Sequence, residues 1–326
     1  APDMIIALPT LEGASTTRPI AKPIDGIAEA YLAMGGALRA EDSEDYAMLM
    51  LRLALDLRPD LTAARVMAAD VLSANQHADA ALQMLASVPA NDSLAAVVRM
   101  RRIEILVHMG RSDDALHALT RLAADYPDSP LPDIQRGDIL RSKSRFDEAI
   151  AAYSAGIARL GQPHAADWPV FYDRGIAYEQ ANQWHLAEAD FRQALLLEPN
   201  QPYVLNYLGY SWANKGEHLV EAQQMIQTAA QSRPNDGAIT DSLGWVMLRE
   251  GHVAQAVQLL ERAVEQVPED AVINGHLGDA YWQAGRILEA QYQWRRALTL
   301  NPGPEDTARL EAKLQTPAVN SVVSGK

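Results

Sequence analysis

The sequence lacks cysteine, and this absence excludes several kinds of chemistry. Without thiols the 326-residue chain can form no disulfide, no thiolate zinc site and no cysteine nucleophile, and it offers no cysteine for lipidation. It also lacks any apolar run of the 18 or more residues that a membrane-spanning helix requires. The chain begins at Ala1 without a methionine, so we expect a processed protein or a piece of a longer one.

The sequence has few positively charged residues relative to its negatively charged ones. The sequence has 28 Lys and Arg residues against 42 Asp and Glu residues, a formal net charge of -14. An acidic surface repels phosphate backbones, and no cluster of Lys and Arg along the sequence offers the footprint that nucleic-acid binding needs. We therefore expect no nucleic-acid partner. The 48% of hydrophobic residues still predicts a chain that buries a core.

Signatures of catalysis and of cofactor binding are missing as well. Ser211 lies in a Gly-Tyr-Ser-Trp-Ala string, which lacks the second glycine of a nucleophile elbow. The eight histidines include no pair at i,i+4 of the metal-protease type. The glycines are spaced along the chain rather than clustered as in a phosphate-binding loop. The sequence therefore predicts no enzyme, no cofactor and no metal.

What the sequence does contain is a period of about 34 residues. Each of eight units keeps an alanine, and seven units place a small residue twelve or thirteen positions before it. The alanines are Ala47, Ala81, Ala115, Ala149, Ala187, Ala222, Ala256 and Ala290. The small residues are Gly35, Ala69, Gly137, Gly175, Gly209, Gly244 and Gly278, and Ile103 takes their place in the third unit.

Bulky apolar side chains follow the small residues by three positions and the alanines by four, which are helical spacings. Each unit is therefore predicted to form two amphipathic helices, with a proline ending most units. A small residue on one helix leaves room for a large side chain of the other, so we predict looser packing at Ile103. Because one pair cannot bury both faces, the pairs must stack into a solenoid.

In these positions the sequence resembles the tetratricopeptide repeat family. The resemblance covers residues 28–304 as eight units, which start at 28, 62, 96, 130, 168, 202, 237 and 271. It implies an all-α fold, an α-solenoid that winds as a right-handed superhelix of about eight helix-turn-helix units. We expect a capping helix at residues 305–315, an extended proline-containing arm at residues 1–27 and a flexible tail at residues 316–326.

The resemblance also implies a binding surface. In members of this family the stripe of each first helix opposite its core positions lines a concave groove that holds peptides or partner segments. The core takes the fourth, seventh, eighth and eleventh positions of each unit, which leaves the second, fifth, ninth and twelfth for the stripe. Aromatic residues appear on the stripe only in the last four units. The predicted groove residues are Tyr172, Ile176, Glu179, Tyr203, Asn206, Tyr210, Asp241, Trp245, Asp279 and Trp282.

Two interpretations of the aromatic residues stay open. Tyr and Trp make good interface anchors because they bury a large area and keep a polar group, but the same rings could simply pack against the neighbouring unit. The acidic stripe residues Glu179, Asp241 and Asp279 favour a neutral or basic partner segment. The stripe has no lysine, so we do not expect a clamp for a C-terminal carboxylate.

The strings Leu205 to Trp212, Asp241 to Trp245, His276 to Trp282 and Gln293 to Leu298 carry a further resemblance. Residues 168–300 are similar to proteobacterial envelope proteins with this repeat, some of which are adaptors for a carboxyl-terminal processing protease and its cell-wall hydrolase substrates. This resemblance implies a non-catalytic scaffold that binds a protein or peptide, such as that protease or a peptidoglycan hydrolase, in the periplasm or at the outer membrane.

Three alternatives remain open at this point. The chain could be a structural subunit permanently assembled in a larger complex. It could lie in the cytoplasm. It could also select substrates for an enzyme encoded upstream in a longer protein.

Overall fold

The computed structural model describes residues 22–315, and within this range the regular structure is entirely helical. The chain divides into two compact units, which we call the N-terminal unit (residues 1–143) and the C-terminal unit (residues 144–326). The division falls inside the fourth predicted repeat. Residues 1–21 of the predicted arm and the predicted tail at 316–326 lie outside the described residues.

In its described part the N-terminal unit contains seven helices. They are α1 (Pro23–Ala40), α2 (Glu44–Leu57), α3 (Thr62–Ala74), α4 (Ala78–Ala86), α5 (Ala95–His108), α6 (Ser112–Asp125) and α7 (Leu131–Ser142). Helices α1 and α2 pack as a hairpin, and so do α3 with α4 and α5 with α6. Each hairpin also contacts the next one along the chain through α2 with α3 and α4 with α5.

The start of α1 corrects the predicted arm. We expected an extended segment up to residue 27, but α1 begins at Pro23. A proline suits the first turn of a helix because its missing N–H has no intrahelical partner there. The backbone N–H of Lys22 donates to Oδ2 of Asp25 at 2.8 Å, which fixes this first turn. The proline that suggested an extended arm is therefore a helix start.

Among its described residues the C-terminal unit contains ten α-helices and a short 3-10 helix at Ala165–Asp167. The α-helices are α8 (Phe146–Arg159), α9 (Trp168–Gln180), α10 (Trp184–Leu197), α11 (Pro202–Lys215), α12 (Leu219–Ser232), α13 (Gly237–Arg249), α14 (Val253–Gln266), α15 (Ala271–Gln283), α16 (Ile287–Thr299) and α17 (Pro304–Gln315). Helices α9 to α16 form four hairpins, and α17 packs on α16. The predicted all-α repeat fold with a capping helix is confirmed.

The small residues set the distance between the two helices of a hairpin. A Cβ atom added to Gly175 would lie 2.6 Å from Cε1 of Phe191, and one added to Gly278 would lie 2.4 Å from Cδ1 of Trp294. Both large rings are buried. At such a distance any side chain would push the helices apart, so the close packing of these pairs depends on glycine.

Aspartates cap the N-termini of α13 and α15. Oδ1 of Asp270 accepts the backbone N–H groups of Val272 and Ile273 at 2.8 and 3.0 Å at the start of α15. Asp236 does the same at the start of α13. These caps stabilise helix starts. They fix where α13 and α15 begin.

Candidate functional site

Two recesses in the C-terminal unit are lined mainly by residues of the first helices of the hairpins. The first recess has a volume of about 350 Å³, and its lining is Glu179, Gln180, Tyr207, Tyr210, Ser211, Asn214 and Lys215. The second recess has a volume of about 310 Å³, and its lining is Trp245, Leu248, Arg249, Asp279, Trp282, Gln283, Trp294 and Lys313. The structure thus places five predicted groove residues in recesses, namely Glu179, Tyr210, Trp245, Asp279 and Trp282.

Trp245 connects the two recesses. Its Nε1 donates to Oδ1 of Asn214 in the first recess at 2.7 Å. Its indole stacks on the imidazole of His276 with ring centroids 4.1 Å apart and an interplanar angle of 20°. The side chain nevertheless remains only half-buried, because it lines the second recess. Trp245 therefore packs against neighbouring repeats and also leaves part of its ring exposed in the second recess.

Tyr210 lies over the same histidine, with ring centroids 6.3 Å apart. Burial is the largest cause that raises the pKa of Tyr210, and the nearby carboxylate of Asp241 raises it further. A hydrogen bond with Asn214 acts in the opposite direction. The phenol is therefore neutral at physiological pH. Its hydroxyl can donate a hydrogen bond to a ligand in the first recess and can accept one from it.

Asp241 is not a groove residue, which corrects the prediction. It is buried, and its Oδ2 lies 2.9 Å from Nδ1 of His276, a side chain that is only 2% exposed. A buried imidazole needs a hydrogen-bond partner, and Asp241 supplies it. This pair is the support on which Trp245 stacks. Asp241 therefore orients the groove without lining it.

The other two acidic residues are also engaged within the protein. Asp279 accepts from Nε1 of Trp294 at 2.9 Å and from Nζ of Lys313 at 2.6 Å. Glu179 accepts from Oγ of Ser211 at 2.9 Å, and burial together with Glu179 raises the pKa of Tyr207. Lys313 therefore offsets the charge of Asp279, whereas Glu179 keeps its charge in the lining of the first recess.

The remaining predicted residues lie outside both recesses. Tyr172 packs in an aromatic cluster, with its ring centroid 6.0 Å from that of Phe191 and 5.7 Å from that of Tyr207. Tyr203 is exposed, and the guanidinium of Arg233 lies 5.5 Å from its ring centroid. Ile176 and Asn206 are half-buried. Most of the lining residues of the two recesses therefore belong to α11, α13 and α15, and α9, α16 and α17 supply the others.

Ten lining residues were absent from the predicted set, and four of them share a signal. Gln180, Asn214, Arg249 and Gln283 each occupy the thirteenth position of a repeat, four residues after the ninth. Residues at i and i+4 share a helix face, so a stripe one residue longer would have included them. Trp294 comes from a second helix and Lys313 from the capping helix, and no stripe rule identifies these two.

Within residues 22–315, no three His, Asp or Glu side chains are grouped so as to hold a metal ion. None of the helices described in this range combines the length and apolarity needed to cross a bilayer.

Comparison with known protein families identifies the repeats. A tetratricopeptide repeat-like domain matches residues 28–167, and two tetratricopeptide repeat profiles match residues 172–237 and 247–314.

Among named relatives, a TPR repeat-containing protein of Pseudomonas aeruginosa is 29% identical over 164 residues, which cover 50% of this chain and 27% of that protein. Human tetratricopeptide repeat protein 13 is 31% identical over 119 residues, which cover 36% of this chain and 13% of the human protein. The chain thus spans only a minor part of the length of these relatives.

Solved structures share the fold. A chain of the APC/C hetero-tetramer Cut9-Hcn1 matches with a TM-score of 0.58 at 15% identity, covering 90% of this chain and 57% of that chain. A tetratricopeptide repeat protein from Parabacteroides merdae matches with a TM-score of 0.54 at 14% identity, covering 89% of this chain and 100% of that chain. At these identities the likeness establishes the fold alone.

Proposed function

Because the chain belongs to the tetratricopeptide repeat family, whose members mediate protein–protein interactions, we propose that its C-terminal unit is a non-catalytic scaffold that binds a polypeptide segment along α11, α13 and α15. One observation carries the proposal: Trp245 and Trp282 line the same recess while both rings remain half-buried. Half-exposed indoles are typical anchors of protein interfaces, because a ligand can bury the rest of their area.

The lining of the second recess indicates what kind of segment it accepts. Trp245, Leu248 and Trp282 provide an apolar wall for a hydrophobic or aromatic side chain. The amides of Asn214 and Gln283 are exposed nearby and can hydrogen-bond the backbone of an extended segment. Among the described residues no carboxylate pairs with the exposed Arg249, so we propose a neutral or acidic segment rather than a basic one.

The test begins with selection of peptides from a display library by the full chain, followed by measurement of their dissociation constants. Trp282→Ala should weaken binding about thirtyfold, since truncation of an anchor costs about 2 kcal/mol. The matched control is Tyr292→Ala, which removes an aromatic ring that is 61% exposed on α16, outside the recesses. This control should bind with unchanged affinity.

Equal affinity of the wild-type chain and Trp282→Ala, with both proteins folded, would reject the groove. So would a library that yields no binder. Trp245 is a less suitable first target, because its contacts with Asn214 and His276 also hold neighbouring repeats together. Its truncation should lower the melting temperature as well as the affinity.

A more specific proposal concerns the identity of the protein partner and the cellular location. On the resemblance of residues 168–300 to envelope adaptors, we propose a periplasmic or outer-membrane-associated location and an envelope protease or peptidoglycan hydrolase as partner. Fractionation of native cells should recover the protein with the envelope, and cross-linking there should capture such an enzyme. Recovery in the cytoplasm would contradict this part without affecting the peptide-binding test.

A further inference from the structure

The third hairpin of the N-terminal unit contains a recess of unusual composition. Its volume is about 500 Å³, and we call it the arginine recess. Its polar lining consists of Arg99 and Arg102 of α5, Arg111 before α6, and Asp114, His117 and Arg121 of α6. Leu82, Ile103, Leu106 and Ala118 provide its apolar lining. The groove of the C-terminal unit shares no residue with it.

Two substitutions in the repeat pattern explain why a recess exists here. Ile103 occupies the position where most repeats have glycine or alanine, and its side chain is buried. In the first hairpin a Cβ on Gly35 would lie 2.9 Å from Cγ of Leu51, so that glycine permits a close approach that isoleucine does not. The recess is consistent with the looser packing predicted for the third repeat.

The second substitution concerns charge. Arg99 and Arg102 occupy the fourth and seventh positions of their repeat, which are core positions. In the sixth repeat the same two positions hold Leu205 and Leu208, and both are buried. Both arginines of α5 line the recess together with Arg121 of α6.

These arginines are only partly neutralised. Arg99 pairs with Asp125 at 2.6 Å, and Arg111 pairs with Asp114 at 2.8 Å. Arg102 and Arg121 are exposed, and neither has a carboxylate partner within residues 22–315. Four guanidinium groups and two carboxylates leave a surplus of two positive charges, in a chain whose net charge is -14. The basic residues are spread over residues 99–121, so the sequence alone showed no cluster, and the hairpin brings them together.

We propose that the arginine recess binds the phosphate group of an organic phosphate. Guanidinium groups donate two parallel hydrogen bonds to phosphate oxygens, and two unpaired guanidinium groups match the charge of a phosphate monoester dianion. Leu82, Ile103 and Leu106 offer an apolar surface for the part of the ligand that carries the phosphate. A free metabolite and a lipid headgroup both present this chemistry.

The experiment titrates the full chain with two probes that distinguish these sources. One probe is phenyl phosphate in solution, and the other is vesicles of phosphatidylcholine that contain phosphatidic acid. We expect the chain to bind at least one probe, and the probe bound identifies the source. The double variant Arg102→Gln/Arg121→Gln should weaken that binding about a hundredfold, because it removes two charge-assisted contacts.

Two further variants make the test specific. Arg262→Gln/Arg295→Gln removes two exposed arginines of the C-terminal unit and changes the net charge equally, so it should leave binding unchanged. Arg102→Lys/Arg121→Lys keeps both charges but loses the planar fork, and it should weaken binding about tenfold. Melting curves verify that each variant is folded, which we expect because Arg102 and Arg121 are exposed.

The proposal is overturned if the wild-type chain binds neither probe. It is also overturned if the two glutamine variants lose affinity equally, since this would indicate attraction to overall charge. An unchanged affinity of the lysine variant would likewise reject a built phosphate site in favour of diffuse electrostatics.

Discussion

Gly278 shows how a single residue supports the candidate groove. Its missing side chain lets the indole of Trp294 lie against α15, and Nε1 of Trp294 then donates to Asp279 at 2.9 Å. Trp294 in turn contacts Trp282, with ring centroids 5.3 Å apart. Gly278 therefore helps to position Trp282, which lines the second recess, through the contact with Trp294.

Gly278→Ala should destabilise the chain by about 1 to 3 kcal/mol, because overpacking a close helix contact forces side chains or backbone to shift. The matched control is Gly303→Ala, where a Cβ would meet no atom within 4 Å. Chemical denaturation of both variants measures the free energy of unfolding. Equal stability of the two variants would mean that α15 and α16 do not approach each other as closely as described.

At the same scale, the stripe positions predicted some groove residues and misplaced others. Helical spacing places Tyr210, Trp245 and Trp282 each on the stripe opposite the core of its own helix, and each of them lines a recess. Asp241 was misplaced because its environment depends on His276, which comes from the following repeat. The position of a residue on the stripe predicts which face of the helix carries its side chain. Whether that side chain is exposed depends on the residues of the neighbouring repeat.

At the scale of elements, α17 has two roles. Leu310 is 1% exposed and belongs to the buried cluster that contains Leu277 and Tyr281 of α15. Lys313 on the same helix binds Asp279 at the edge of the second recess. The capping helix therefore closes the core of the last hairpin and also holds the Asp279 carboxylate in the lining of the second recess.

Leu310→Ala should cost about 2 to 5 kcal/mol, as expected when a buried leucine is truncated and leaves a cavity. Leu288→Ala makes the same chemical change at a side chain on α16 that is 82% exposed, and it should change stability by less than about 0.5 kcal/mol. Thermal and urea unfolding measure both. A small effect of Leu310→Ala would show that α17 is loosely attached.

Most helices could be predicted because the same spacing of small and bulky apolar residues recurs in eight repeats. Helix starts such as Thr62, Trp168, Pro202 and Ala271 agree with predicted repeat starts. The start of α1 could not be predicted in this way, because Pro23 precedes the first repeated position and only its local hydrogen bonds reveal a helix. The pairing of Lys313 with Asp279 was equally hidden, since α17 lies outside the period.

At the scale of the whole molecule, the two proposed binding sites lie in different units. All six tryptophans lie at or after residue 168, and those of the recesses belong to the C-terminal unit. The arginine recess belongs to the N-terminal unit. The two proposed sites can therefore be tested in the same full-length protein, because variants of one leave the residues of the other unchanged.

The most direct test of the central claim is hydrogen–deuterium exchange of the full chain with and without a peptide selected from the library. Binding in the groove should slow amide exchange in α11, α13 and α15, since a bound segment suppresses local opening there. The second helices α12, α14 and α16 should change much less. Protection confined to those second helices, or to the N-terminal unit, would contradict the proposed groove.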